Sequence, residues 1–208
     1  QNMINGITVF GTYFSVFGIF ISYLQIKSAA AINIETKYAI EKSLEKMNQI
    51  LEIDIENQIA HVQAGVVNVD LDTAVKEFGM AYLPDPASRD WSTLGGNVAT
   101  NAGGMCCVKY GVTSQHVRAL TVVLSSGEVI QLGKSTKKFV TTLDLMHLFI
   151  GSEGTLGIIT EIIFNIVPRP KAPATLIATF PSITQAAKAS TQLLQFRPSM
   201  LEIIDHTT

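Results

Sequence analysis

STLGGNVATNAGGMCCVKYG, residues 92–111, is the stretch on which the reading of this chain turns. It holds five of the chain's fifteen glycines and shows the apolar period of neither a helix nor a strand. Glycine tolerates positive φ and lets another molecule approach bare peptide groups. The pairs Gly95-Gly96 and Gly103-Gly104 therefore predict a loop wrapped around something flat or anionic, its successive N–H groups forming an anion-binding concavity. Between the pairs, Asn97, Thr100 and Asn101 add short polar side chains as donors. Glycine spacing alone suits a tight packing loop equally well.

Three further blocks flank this stretch. PDPAS at 84–88 places Asp85 between two prolines, and the residue before a proline is pushed to extended geometry, so this is a rigid turn. KYG occupies 109–111. GSEGTLGIIT at 151–160 puts three glycines ahead of a β-branched run, which predicts a loop feeding directly into a buried strand.

In their order and spacing, PDPAS, LGGNVATNAGG (94–104), KYG and GSEGTLGIIT resemble the flavin-binding signatures of the FAD-linked oxidoreductases related to the glycolate oxidase GlcD subunit and D-lactate dehydrogenase. Four blocks in one order are more specific than any single glycine motif. The resemblance covers Leu44 to the C-terminus. It implies an α+β fold: a PCMH-type FAD-binding domain, with a mixed or antiparallel sheet and flanking helices, followed by the start of an α+β cap. The implied division is an atypical apolar segment over 1–43, the second FAD-binding subdomain over 44–170, and the beginning of a substrate cap over 171–208.

The resemblance also implies a site. Pro84, Asp85, Pro86 and Ser88 present backbone and short side chains to the flavin. Leu94, Gly95, Gly96, Asn97, Thr100, Asn101, Ala102, Gly103 and Gly104, with Tyr110 and Gly111, pack against the isoalloxazine ring and ribityl chain. Glu153, Gly154, Gly157 and Ile158 lie on the adenine and ribose side, although Glu153 reads equally as a carboxylate satisfying loop N–H groups. FAD is expected to be non-covalent, because Cys106 and Cys107 do not fall where relatives carry an attaching cysteine. No catalytic residue is assigned, since the family places substrate-binding groups in the cap and beyond.

The implied activity is oxidation of a small 2-hydroxy acid such as D-lactate or glycolate, with hydride passing to the flavin. A UDP-N-acetylenolpyruvoylglucosamine-reductase-like flavoenzyme and a non-catalytic, membrane-tethered module remain as alternatives. Self-association or a partner subunit is expected, as is a cytoplasmic location, at the inner face of the membrane if residues 7–24 act as an anchor.

Composition agrees with a folded domain and excludes some classes. The chain has 208 residues, 47% of them hydrophobic, enough to fill a core. A net charge of −2 with scattered basic residues argues against nucleic-acid binding. Two adjacent cysteines make neither a disulfide framework nor a metal-ligand spacing, and read as small apolar side chains in a buried loop. No metal site is expected, because His61, His116, His147 and His206 stand far apart.

Residues 7–24, ITVFGTYFSVFGIFISYL, are largely apolar and at the lower edge of what spans a bilayer. A buried strand pair or an altered N-terminus fits them too, and the Arg- and Gly-rich loop that grips the pyrophosphate in the family is not found there. Lys37 to Gln49 has helical spacing, although the family reading is a strand and turn. Alternation over 50–66 predicts a hairpin turning at Asn57, and Val69 to Phe78 an amphipathic helix stopped by Gly79. A second hairpin is predicted over 117–133, turning at 125–128. Leu143 to Ile150 reads as a short helix with His147 on its apolar side. After Pro168 and Pro170 come an expected strand, a helix from Ser182 to Leu194 and a second strand.

Overall fold

The computed structural model describes residue 43 and residues 46–205 apart from 139, 142 and 173. The expectations for residues 7–24, most of 37–49 and His206 lie outside them. Five strands form one sheet in the order β1 (Ile50–Asp54), β2 (Ile59–Gln63), β6 (Ile158–Asn165), β4 (Val117–Val123) and β5 (Val129–Gly133). Every pairing in it is antiparallel. A separate pair joins β3 (Met80–Ala81) to β7 (Val167–Pro168).

Both predicted hairpins form, and turn chemistry explains their tips. Asp54 accepts the Asn57 backbone N–H at 2.9 Å and its side-chain amide at 2.6 Å, while Gln58 takes the left-handed conformation at φ 56°. In the second hairpin Gly127 adopts φ 84° and donates to Leu124 O at 2.9 Å.

Period-2 alternation decides which face of the sheet is buried. Ala60 and Val62 on β2, Leu120 and Val122 on β4, and Ile162 and Phe164 on β6 all join the core. Helix α1 (Asn68–Lys76) covers them with Leu71 and Val75, two helical positions four apart and fully buried. Burying such a side chain contributes about 1.5–3 kcal/mol. Gly79, at φ 70°, stops the helical run as predicted, and its N–H closes on Lys76 O at 2.9 Å.

Several expectations are corrected. The first half of the glycine stretch is helical: α2 spans Leu94–Ala99 and is capped by Thr93, whose Oγ1 accepts the Gly96 N–H at 3.2 Å. Leu94 and Val98 stand four apart and are both fully buried, packed with the core. Cys106 and Cys107 are only half-buried, at the start of α3 (Cys107–Tyr110). Helix α4 is shorter than expected, Met146–Phe149, and His147 lies on its exposed side, bonded to Asp144 at 2.7 Å. Met146 and Phe149 take the buried positions instead.

Beyond β7, helix α5 (Ile183–Leu193) forms where expected, capped by Ser182, but the two flanking strands do not. A strand needs a neighbour to take its N–H and C=O groups. None lies beside this segment among the described residues, and Leu176 and Ile177 are 83% and 87% exposed. No helix among the described residues is long and apolar enough to cross a membrane.

Candidate functional site

The fold brings the four sequence blocks into one continuous surface, and backbone hydrogen bonds do most of the joining. Helix α2 is fastened at its start to the segment that follows β2: Leu94 N–H donates to Val66 O and Gly95 N–H to Ala64 O, each at 2.8 Å. At its other end the GSEG loop docks onto it. Gly151 N–H donates to Val98 O at 3.0 Å and Glu153 N–H to Ala99 O at 2.8 Å. Glu153 is thus a loop residue at φ 50° whose backbone, rather than its carboxylate, makes the joint.

The PDP turn closes on the second glycine pair. Pro84 and Pro86 are buried, and Pro84 O accepts the side-chain amide of Asn68 at 3.1 Å. Asp85 Oδ1 accepts the Cys106 backbone N–H at 3.1 Å. A Cβ on Gly104 would stand 2.1 Å from Asp85 O, so only glycine allows this approach. Ser88 serves the turn itself, its carbonyl accepting the N–H of Trp91 at 3.0 Å and of Ser92 at 2.8 Å.

The KYG block is anchored from behind. His116 is buried and its Nε2 lies 2.9 Å from Tyr110 O. A carbonyl only accepts, so the proton is on Nε2, and Nδ1 is left as a buried lone pair without a partner. Burial pushes the His116 pKa down, against two backbone hydrogen bonds that raise it. Gly111, at φ 77°, leaves its side-chain space to the Gln115 amide, whose Oε1 accepts Val112 N–H at 3.0 Å.

Of the short polar side chains between the glycine pairs, most already have partners. Thr100 Oγ1 donates to Gly96 O at 3.0 Å, and Asn101 Oδ1 accepts Ser114 N–H at 2.9 Å. Ala102 N–H donates to Asn97 O at 2.8 Å, and Ala102 O accepts the Thr113 hydroxyl at 2.7 Å. Cys107 Sγ accepts Gly104 N–H at 2.9 Å. Burial first, and then the neighbouring Asp85, push the Cys106 thiol up to about 11. Asn97 differs from these: it is 3% exposed and its Nδ2 has no partner. Ser152 Oγ, on the docked loop, is a second buried polar atom without one.

Gly157 immediately precedes β6, and Ile158 opens it. A Cβ on Gly157 would meet Val122 Cγ1 at 2.7 Å, and Ile158 pairs with Val123. No cluster of metal-ligating side chains occurs among the described residues.

Comparison with known proteins gives this surface a family. Residues 39–133 match the FAD binding domain family. The glycolate oxidase subunit GlcD of Bacillus subtilis is 46% identical over 78% of this chain and 35% of its own length. A D-lactate dehydrogenase of Anaerostipes hadrus is 44% identical over 78% of this chain and 34% of its own length. The chain belongs to this family of FAD-linked oxidoreductases. A solved alkyldihydroxyacetonephosphate synthase shares the fold, with a TM-score of 0.61 and 28% identity over 75% of this chain and 28% of that one. The chain therefore spans about a third of the length of the curated relatives it matches.

The residues present fit the family's cofactor, and the glycines show why. Gly95 is required by packing, since a Cβ would fall 2.7 Å from Ala64 Cβ; Gly104 is required by Asp85 and Gly111 by Gln115. Gly96 and Gly103 are not required in this way. A Cβ would meet only Thr93 Oγ1 at 3.1 Å in the first case, and Cys107 Sγ and Val112 Cγ1 at 3.3 Å in the second. At Gly96 and Gly103 no backbone is packed against the Cβ position, Gly103 is exposed, and the buried amide of Asn97 has no partner; these are the features here that fit a bound FAD.

Residues not singled out in the sequence hold this surface in place: Asn68, Thr93 and His116. Thr93 had a readable signal as an N-cap three residues before Gly96. Asn68 and His116 had none, because their partners lie on other elements.

Proposed function

We propose that this chain is the FAD-holding part of a dehydrogenase or oxidase acting on a small 2-hydroxy acid. The observation that carries the reading is the joining of separated blocks around the glycine stretch, the GSEG loop onto Val98 and Ala99 and the PDP turn onto Cys106, with the buried amide of Asn97 left without a partner. The substrate class rests on the names of relatives, a glycolate oxidase subunit, a D-lactate dehydrogenase and a D-2-hydroxyglutarate dehydrogenase of Xanthomonas citri pv. viticola that is 38% identical over 67% of this chain. All three names specify a hydroxyl beside a carboxylate.

When bound, FAD supplies a two-electron acceptor for the substrate hydride; the protein's part is orientation and electrostatics. In this reading Asn97 Nδ2 donates to an acceptor on the cofactor, and the backbone at Gly96 and Gly103 lies flat against it. Asp85, Pro86, Asn101 and Tyr110 hold the glycine turns in position, while Gly154 and Ile158 bring the loop after α4 to the other end of the cofactor. Residues 44–170 form the cofactor domain and 171–208 open a substrate cap. The GlcD name also carries the word subunit, which makes a partner chain part of the proposal.

The test is a titration of the purified chain with FAD, followed by flavin absorbance, fluorescence and thermal stability. Saturable binding that raises Tm is expected, because a ligand that binds only the native state stabilises it. Gly96→Trp and Gly103→Trp should each abolish it. No binding at high micromolar FAD would leave the family standing but remove the claim that this chain holds the cofactor by itself.

A further inference from the structure

We propose that a depression at one end of the main sheet, lined by Arg118, Lys137 and His147, binds a small oxyanion through its phosphoryl or carboxylate groups. The three basic side chains arrive from three elements: the second residue of β4, the segment after β5, and α4. Gln58, Ser114 and Asn165 add neutral polar groups to a cavity of about 460 Å³, and no carboxylate among the described residues lines it.

Two of the three basic side chains are positioned by neighbours, and Arg118 keeps donors to spare. Asn165 Oδ1 accepts one N–H of Arg118, which keeps the rest of the guanidinium fork available. Asp144 Oδ2 takes Nδ1 of His147 at 2.7 Å, which leaves Nε2 as the ring's other polar atom. Arg118 is half-buried, and desolvation alone lowers its pKa, without any carboxylate acting on it. Neither Arg118 nor Lys137 has an ion pair among the described residues. Charges drawn partly out of water are as a rule paired. A guanidinium so placed suits a planar carboxylate or a phosphate, which it grips bidentately.

The depression is separate from the surface assigned to FAD, so the proposal does not rest on that assignment. Ser114 links the two, its N–H donating to Asn101 Oδ1 at 2.9 Å.

The experiment uses the 208-residue chain without FAD. Pyrophosphate and citrate are each titrated at constant ionic strength, with chloride as the exchanged ion, and binding is read by calorimetry and thermal stability. Saturable binding is expected for at least one of them, weakened about tenfold by Lys137→Gln and at least as much by Arg118→Gln, as loss of a charge-assisted hydrogen bond demands. Binding of pyrophosphate alone would identify a phosphoryl ligand, and of citrate alone a carboxylate. Lys137 is exposed, so if Arg118→Gln does not fold, Lys137→Gln decides. The proposal is overturned if neither anion saturates, or if the variants bind as tightly as the parent.

Discussion

The side-chain amide of Asn68 donates to the carbonyl of Pro84 at 3.1 Å, fastening the first residue of α1 to the PDP turn. Asn68 is 1% exposed, and its own N–H donates to Ser92 O at 3.0 Å, so one buried residue ties together the helix, the turn and the approach to α2. Replacing it by leucine, of similar size, leaves a buried carbonyl unpaired. That costs about 1–3 kcal/mol. Thermal unfolding of Asn68→Leu should show Tm lowered by several degrees, and an unchanged Tm would mean that water satisfies Pro84 equally well.

Glycine substitutions should separate folding from cofactor binding. At Gly104 a Cβ would stand 2.1 Å from backbone of Asp85, which cannot yield without moving the PDP turn, so Gly104→Ala lowers Tm even without FAD. At Gly96 and Gly103 the nearest atoms are side chains at 3.1 and 3.3 Å. Gly96→Ala and Gly103→Ala should therefore keep the stability of the free protein within about 1 kcal/mol of wild type while weakening FAD. Equal losses of Tm in all three variants would contradict this division.

How much of this was readable from sequence depends on where each residue's partner lies. The hairpins at 50–66 and 117–133 were legible because alternation and turn residues are local signals, as was α1, whose Leu71 and Val75 lie one turn apart and whose end is marked by Gly79. The first half of the glycine stretch was not legible as a helix. Four small residues between Leu94 and Val98 or just past it hid a two-residue apolar stripe, and Thr93 was not read as its cap. The pairing of Asp85 with Cys106 and of His116 with Tyr110 left no trace in local pattern. Strands expected around Leu176 and Ile203 had the right composition, but composition supplies no neighbouring strand.

Cys106 should be a poor nucleophile for a half-exposed thiol. Burial and then Asp85 raise its pKa to about 11, so at pH 8 only roughly one molecule in a thousand carries the thiolate that reacts. Asp85→Asn keeps an oxygen for the Cys106 N–H but removes the charge. Peptide mapping after timed iodoacetamide treatment should show Cys106 labelled slowly in the native protein, several times faster in Asp85→Asn, and rapidly in urea. Equal native rates in both proteins would show that Asp85 does not control this thiol.

His116 should make stability depend on pH in a defined direction. Its Nε2–H holds Tyr110 O at 2.9 Å, and its buried Nδ1 makes no hydrogen bond. The Tyr82 ring stands steeply inclined to it, centroids 6.2 Å apart, and adds to its burial. Protonation therefore puts a charge inside the protein, and burial, outweighing the backbone groups of Tyr110 and Asn165, lowers the folded pKa below the value of about 6.5 expected in the unfolded chain. As pH falls, the unfolded state takes up the proton first. Stability is thus fully present above about pH 6.5 and declines as pH falls toward the folded pKa, by at most about 1.4 kcal/mol per pH unit for one group. His116→Gln retains an amide donor for Tyr110 O but does not titrate. Exposed carboxylates such as Asp144 and Asp54, whose pKa values are lowered by local hydrogen bonds, lose stability in acid too, but they are common to both proteins and cancel in the difference. Urea unfolding from pH 8 to pH 5 should give a steeper acid loss for wild type than for His116→Gln. Parallel curves would mean that His116 is protonated as readily in the fold as out of it.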